Sequence, residues 1–301
     1  AFETPRRDFA ALLHQVSQAR EHSLCLCLPW RLLALLPAEG HLRCSLGSRL
    51  MTQPIELYFW PTPNGLKISI ALEEMELPYV IKPVAIGKGD QFKPEFMAIS
   101  PNNRMPAIVD PEGPGGAPIS VFESGAILQY LGRKTGKFYP KDERKRVEVD
   151  EWLIWQVANI GPMFGQASHF KNYAPNLVDD PEKIAYGVAR YNNEVNRLLG
   201  VMERRLDGRE FLAGDYSIAD IASYPWVKIA GVFNQEMSNF PRVQAWLDGI
   251  VARPAVKKGA SAGAYLRRPP PAPGSAEQKE AARALFGQTA ASVTDAVKSN
   301  R

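Results

Sequence analysis

The sequence predicts an α/β domain followed by an all-helical domain, and three observations lead to that reading. Between residues 55 and 133 the patterns run strand, helix, strand, helix, strand, strand, helix. That order makes one α/β layer of about 80 residues, large enough for a modest core. Beyond the linker KTGKFYPKDER (134–144), every periodic segment is helical.

The first strand is IELYFW (55–60), a short β-rich run closed by the breaker PTPNG (61–65). GLKISIALEEMEL follows as a helix, with Ile68, Leu72 and Met75 on one stripe and Glu73, Glu74 and Glu76 off it. YVIKPVA (79–85) reads as the second strand and KPEFMAIS (93–100) as a short helix stopped by Pro101-Asn102. MPAIVD (105–110) and ISVF (119–122) read as strands, with the turn-rich PEGPGGAP between them. Tyr58, inside the first strand, is expected in packing.

The helical part opens with RVEVDEWLIWQVANIG, where Val147, Trp152, Leu153 and Trp155 suggest a core helix. Residues 182–208 form a long amphipathic candidate ending at a glycine stop. Ser217 and Asp220 make a capping box, with Asp in place of the usual Glu or Gln. Pro225 interrupts the helix that follows. FPRVQAWLDGIVARPAV is expected as a last helix. The tryptophans 152, 155, 226 and 246 are expected in the core.

The most informative segment is ESGAILQYL, which opens with Glu123-Ser124, 18 residues after Met105-Pro106. A strand ends there in a carboxylate and a helix begins on a hydroxyl. Ser124 and the unpaired N–H groups of the first helical turn suit a carboxylate, and the helix dipole adds to them. Glu123 suits an ammonium. Such a corner fits the amino-acid end of a zwitterion, and the γ-glutamyl end of glutathione is one. Taken alone, the same two residues also make an ordinary helix start.

Composition narrows the chemistry. The net charge of +4 comes from the ends: residues 51–260 carry 24 basic and 25 acidic groups, so no basic stripe suggests nucleic acid. No apolar run reaches the 18 or so residues that span a membrane. Cys25, Cys27 and Cys44 all lie in the first 50 residues, and the only histidine after them is His169. A metal cluster or protein-thiol nucleophile in the body is therefore excluded by inventory. His169 itself is expected as an ordinary partly buried or surface histidine.

Residues 1–50 hold twelve leucines and no lysine, and they show no steady period. Translated upstream sequence, with Met51 as the natural start, is the preferred reading; a targeting segment is the other. The expected organisation is a non-domain extension over 1–51, domains at 52–134 and 145–258, and a tail at 259–301. The tail begins with the stiff LRRPPPAPGS and carries one possible short helix, EQKEAARALF. It is expected to be disordered or loosely docked.

SPNNRMPAIVD followed by FESGAILQYL, with YSIADI (216–221) downstream, resembles the signature of the glutathione transferases. The resemblance covers residues 55 to about 258 and implies a thioredoxin-like N-terminal domain with a C-terminal helical bundle. TPNGLK with WQVANIGPMFGQ looks like the bacterial nu class, which is similar to the yeast nitrogen-regulator prion protein and includes glutathione-dependent disulfide reductases. Many members hold the glutathione sulfur with a Tyr, Ser or Cys after the first strand. Here the region offers Thr62, with a hydroxyl, and Asn64, with amide donors at the mouth of the helix. The resemblance implies that both contact the sulfur, although Thr-Pro-Asn-Gly is also a good turn in its own right. It implies a cis Met105-Pro106 bond, with the Met105 backbone pairing to glutathione like an added strand. It also implies that Gln91 meets the glycine end. Arg190 matches a class arginine that reaches across the cleft; its local alternative is an i,i+4 pair with Glu194.

The expected activity is reduction of small disulfides by glutathione as cosubstrate, without a metal. Conjugation to electrophiles or peroxide reduction is the second reading, and a non-catalytic binding protein on the same fold is the third. Its partners are expected to be a small-molecule disulfide or electrophile, and neither nucleic acid nor membrane. The resemblance further implies a homodimer in the cytoplasm.

Overall fold

The computed structural model describes residues 53–269, 271–272 and 274–291. The readings of residues 1–50 and of Met51 lie outside them.

Four strands form one sheet in the order β2-β1-β3-β4. β1 (Ile55–Phe59) runs parallel to β2 (Tyr79–Pro83), while β3 (Ala107–Asp110) is antiparallel to both β1 and β4 (Ile119–Phe122). β1 alternates strictly: Ile55, Leu57 and Phe59 are buried, with Glu56 and Tyr58 on the other face. Tyr58 packs against Phe96 at 6.0 Å between ring centroids, as its place in the strand suggested. The first helix, α1 (Pro63–Glu74), buries Ile68, Ile70, Ala71 and Leu72. A short α2 (Pro94–Met97) follows, and α3 (Ser124–Thr135) begins directly after β4.

The helical part starts at α4 (Glu143–Trp155). It continues through a π-helical turn, Gln156–Ile160, into α5 (Gly161–Ser168), so the WQVANIG run holds a register change as well as a core helix. Leu153 is fully buried, but Val147 is exposed on the opposite side of α4, contrary to its expected core place. α6 (Pro181–Arg205) is the long amphipathic helix. The glycine stop falls three residues later, where Gly208 takes φ +67°.

α7 (Ile218–Val227) starts at the expected capping box, with both of its reciprocal bonds present, and carries Pro225 inside. The expected last helix is two helices, α8 (Pro241–Ala252) and α9 (Pro254–Ser261). Pro254 separates them: the residue before a proline avoids the helical region, and Arg253 sits at φ −64°, ψ 128°.

One apolar core runs through the α/β and helical parts, from Leu57, Ile68 and Leu128 to Leu153, Phe164 and Leu198. α9 lies so close on α1 that a Cβ at Gly259 would stand 2.5 Å from the Ile70 Cα, and Ser69 donates to the Gly259 carbonyl at 2.8 Å. Arg253 clamps the far end of α1 through both oxygens of the buried Glu74, at 2.6 and 2.9 Å.

The possible short helix of the tail is α10 (Ala276–Phe286). It is docked more firmly than its composition suggested. Ala282 is buried, Phe286 packs on His169 at 4.5 Å and Tyr173 at 4.8 Å, and the Ala284 carbonyl accepts from Gln91. His169 is partly buried, and burial lowers its pKa.

Candidate active site

The site begins where β1 turns into α1. Thr62 caps the helix, its Oγ1 accepting from the Gly65 N–H at 3.3 Å. The turn is too tight for any side chain at Gly65: a Cβ would lie 2.2 Å from the Trp60 carbonyl oxygen. The Thr62 hydroxyl proton points to the Met105 Sδ at 3.8 Å. A thioether is a weak acceptor, so this donor is poorly used within the protein and suited to a stronger sulfur acceptor.

Asn64 stands in the first turn of α1 and is half-buried. Its Oδ1 accepts from the Trp226 indole Nε1 at 2.9 Å. An indole N–H only donates, so this contact fixes which way the amide faces and leaves the Asn64 NH2 group as the outward donor. Trp226 is buried as expected, yet it also sets a site residue from 162 positions away.

Met105-Pro106 is a cis peptide at the entry to β3. The Met105 N–H and C=O take no hydrogen bond among the described residues. Ala107 pairs with Phe122, so the register sets Pro106 beside Glu123. Glu123 turns the chain from β4 into α3 with φ +67°, a left-handed conformation uncommon outside glycine. Its exposed carboxylate accepts from Asn102 Nδ2 at 3.1 Å. Ser124, the first residue of α3, is buried.

Beneath Ser124 lies a residue that sequence reasoning did not select. Lys67, 2 % exposed, extends from α1 and donates to Ser124 Oγ at 3.2 Å and to Gln156 Oε1 at 2.8 Å. Burial lowers its pKa to about 7, against the field of Glu123, which raises it. Lysine is almost never fully buried, and nothing local marks this one. Its only hint is a place next to Ile68 at the start of an otherwise apolar stripe.

Two expected site residues are engaged by other partners. Gln91 is buried rather than in an open polar loop; its Nε2 donates to the Ile86 carbonyl at 3.0 Å and to Ala284 at 3.4 Å, and its Oε1 is buried without a partner among the described residues. Arg190 is paired with Glu194 at 3.4 Å, the local alternative, and is half-exposed. No contact joins it to the Glu123 corner among the described residues. The structure thus gathers Thr62, Asn64, Met105, Glu123 and Ser124, adds Lys67, and leaves Gln91 and Arg190 engaged elsewhere.

Residues 53–133 match the model of the glutathione S-transferase N-terminal domain, and residues 170–254 match that of the C-terminal domain. The chain is 48% identical over 203 residues to the disulfide-bond oxidoreductase YfcG of Escherichia coli, covering 67% of this chain and 92% of that protein. The chain belongs to the glutathione S-transferase family. Within it, the chain falls in the nu class that TPNGLK and WQVANIGPMFGQ suggested. A glutathione transferase from Burkholderia graminis, solved with two glutathione molecules per subunit, superposes with a TM-score of 0.65 at 47% identity over 70% of this chain and 88% of that one. One from Pseudomonas putida, solved with glutathione disulfide, gives 0.65 at 43% identity over 72% and 95%. No helix among the described residues is long and apolar enough to cross a membrane.

Proposed function

We propose that this glutathione transferase reduces small disulfides with bound glutathione. The observation that carries the reading is the set of donors at one turn, each held by the protein through its oxygen: the Thr62 hydroxyl, whose proton meets only the weak acceptor Met105 Sδ, and the Asn64 amide, whose NH2 group is left as the outward donor. Such donors favour a thiolate over a thiol. Each unit of lowering from about 8.5 takes about 1.4 kcal/mol of preferential stabilisation. The unpaired Met105 backbone suits the cysteinyl amide of the tripeptide, and the Glu123–Ser124 corner suits its amino-acid end. For Gln91 to meet the glycine end, its amide must exchange Ala284 for the ligand; Arg190 must likewise exchange Glu194.

With no cysteine after Cys44, the sulfur chemistry falls to glutathione itself. The bound thiolate attacks one sulfur of the substrate disulfide, forming a mixed disulfide and expelling the other sulfur as thiolate, which takes up a proton. A second glutathione thiolate then attacks the glutathione sulfur of the mixed disulfide. The products are glutathione disulfide and two substrate thiols. YfcG carries the name of this reaction, which supports disulfide reduction over conjugation to electrophiles.

Ser124→Ala and Glu123→Ala are each expected to weaken glutathione binding by about 1–3 kcal/mol, as for buried or charge-assisted hydrogen bonds. Calorimetric titration reads this directly. Unchanged affinity in both variants removes the corner from the site. We also infer a homodimer. Val147 and Ile154, exposed and seven residues apart on α4, share a face, and Phe122 is exposed on the edge strand β4. A monomeric mass by light scattering at micromolar concentration would overturn that inference.

A further inference from the structure

We propose that Lys67 is the positioning residue of the amino-acid end of the site: its ammonium, held between Ser124 and Gln156, makes Ser124 a fixed donor and sets a positive charge behind the ligand carboxylate. The inference rests on the glutathione reading above and adds a residue to it.

A buried lysine is an expensive choice for this position. α1 packs into an apolar core on both sides of Lys67, through Leu66 and Ile68. Replacing a buried charge there by a hydrophobic side chain of similar volume is often neutral or stabilising, so packing alone does not account for the ammonium. Its contacts do point to a ligand. The Ser124 oxygen accepts from Lys67 at 3.2 Å, so the hydroxyl proton is turned away from α1 and remains to be donated. Ser124 opens α3, whose first N–H groups converge on the same place.

The second anchor lies in the helical part. Gln156 is fully buried on the π-helical turn and gives its Oε1 to Lys67 at 2.8 Å, while its Nε2 has no partner among the described residues. Lys67 thereby ties the ligand-facing end of α3 to the helical domain, as Trp226 ties Asn64. The amino-acid end and the sulfur of the proposed ligand are then both referred to the helical part.

The charge also has a consequence for protons. Of the elements packed on α1, α3 follows Glu123, and α7 carries Asp220, which is held by Leu212, Ser217 and Trp246; the π-helical turn reaches Lys67 through the neutral Gln156. α9 carries Lys257 and Lys258, the latter paired with Glu73 at 2.8 Å. Of these, Glu123 is the group whose field reaches the ammonium. With its pKa lowered to about 7, Lys67 is partly neutral at neutral pH. A carboxylate arriving at Ser124 restores the charge by drawing a proton from solvent.

The test is calorimetry at pH 7 with S-methylglutathione, which has no thiol proton to release, in two buffers of different ionisation enthalpy. A second probe is the same ligand with its γ-glutamyl α-carboxylate converted to a carboxamide. Lys67→Met is expected to weaken S-methylglutathione about 10- to 100-fold, as for a hydrogen bond to a charged group, and the carboxamide less than about threefold. The wild-type protein is expected to take up a fraction of a proton on binding S-methylglutathione, and Lys67→Met none. A purely structural role weakens both ligands alike and overturns the proposal, as does unchanged affinity for S-methylglutathione. If Lys67→Met does not fold, the wild-type comparison decides: equal affinity for S-methylglutathione and its carboxamide shows that no positive charge stands behind the carboxylate and overturns the proposal. A wild-type protein that binds neither ligand fails the glutathione reading itself, a result separable from the others.

Discussion

Asp220→Ala is expected to lower the unfolding free energy by about 3–5 kcal/mol, the scale of three buried N–H groups each left without its acceptor at about 1–3 kcal/mol, less the carboxylate desolvation that alanine relieves. The carboxylate is fully buried and accepts four hydrogen bonds: from Leu212 N at 2.9 Å and Trp246 Nε1 at 2.9 Å on one oxygen, and from Ser217 N at 3.0 Å and Ser217 Oγ at 3.1 Å on the other. Alanine leaves three N–H groups buried without acceptors and removes half of the capping box that starts α7. Urea denaturation at pH 7 measures the loss, and a change below about 1 kcal/mol, the net worth of one ordinary hydrogen bond, contradicts the argument.

The same group sets a pH dependence whose sign follows from its surroundings. Burial raises the Asp220 carboxyl to about 6, against four donors that lower it. Between pH 4 and 6 the native state keeps a proton that the unfolded chain, near the ordinary value of about 3.9, has released. The stabilisation associated with that proton is full below about pH 4 and is lost as pH rises through about 6. Asp220→Asn carries no such slope, so its deficit relative to the wild type should be larger at pH 4 than at pH 7.

Local signals located the scaffold, and tertiary contacts decided the site. ISVF is β4 without a residue's difference, because alternation and flanking turns are written into the strand itself. The Ser217–Asp220 box is equally local, three residues apart, whereas its bonds to Leu212 and Trp246 come from packing. Arg190 and Glu194 met as an i,i+4 pair because one helix suffices to bring them together. Lys67 was invisible for the opposite reason: Ser124 and Gln156 lie 57 and 89 residues away, and a lysine in a helix reads as a solvated one. Gln91 depends on Ala284, 193 residues on, in a helix whose composition promised little. Val147 misled because an apolar residue near Trp152 looks like core, although α4 presents it outward.

Disulfide reduction should survive replacement of Cys25, Cys27 and Cys44 together by serine, since no other cysteine exists in the chain and the nucleophile is assigned to glutathione. In that cysteine-free protein, Asn64→Ala should reduce kcat by about 100-fold, the scale of one lost donor to developing anionic charge. Thr62→Ala should act in the same direction. Trp226→Phe should cost less than Asn64→Ala: it removes the bond that orients the Asn64 amide at 2.9 Å but keeps the donor. Its effect should fall on kcat more than on KM, because the amide faces the sulfur rather than the peptide ends. The rate of small-disulfide reduction with glutathione, followed through glutathione disulfide formation, measures all four proteins. Activity that vanishes with the cysteines yet persists without Thr62 and Asn64 would place the sulfur chemistry outside this turn.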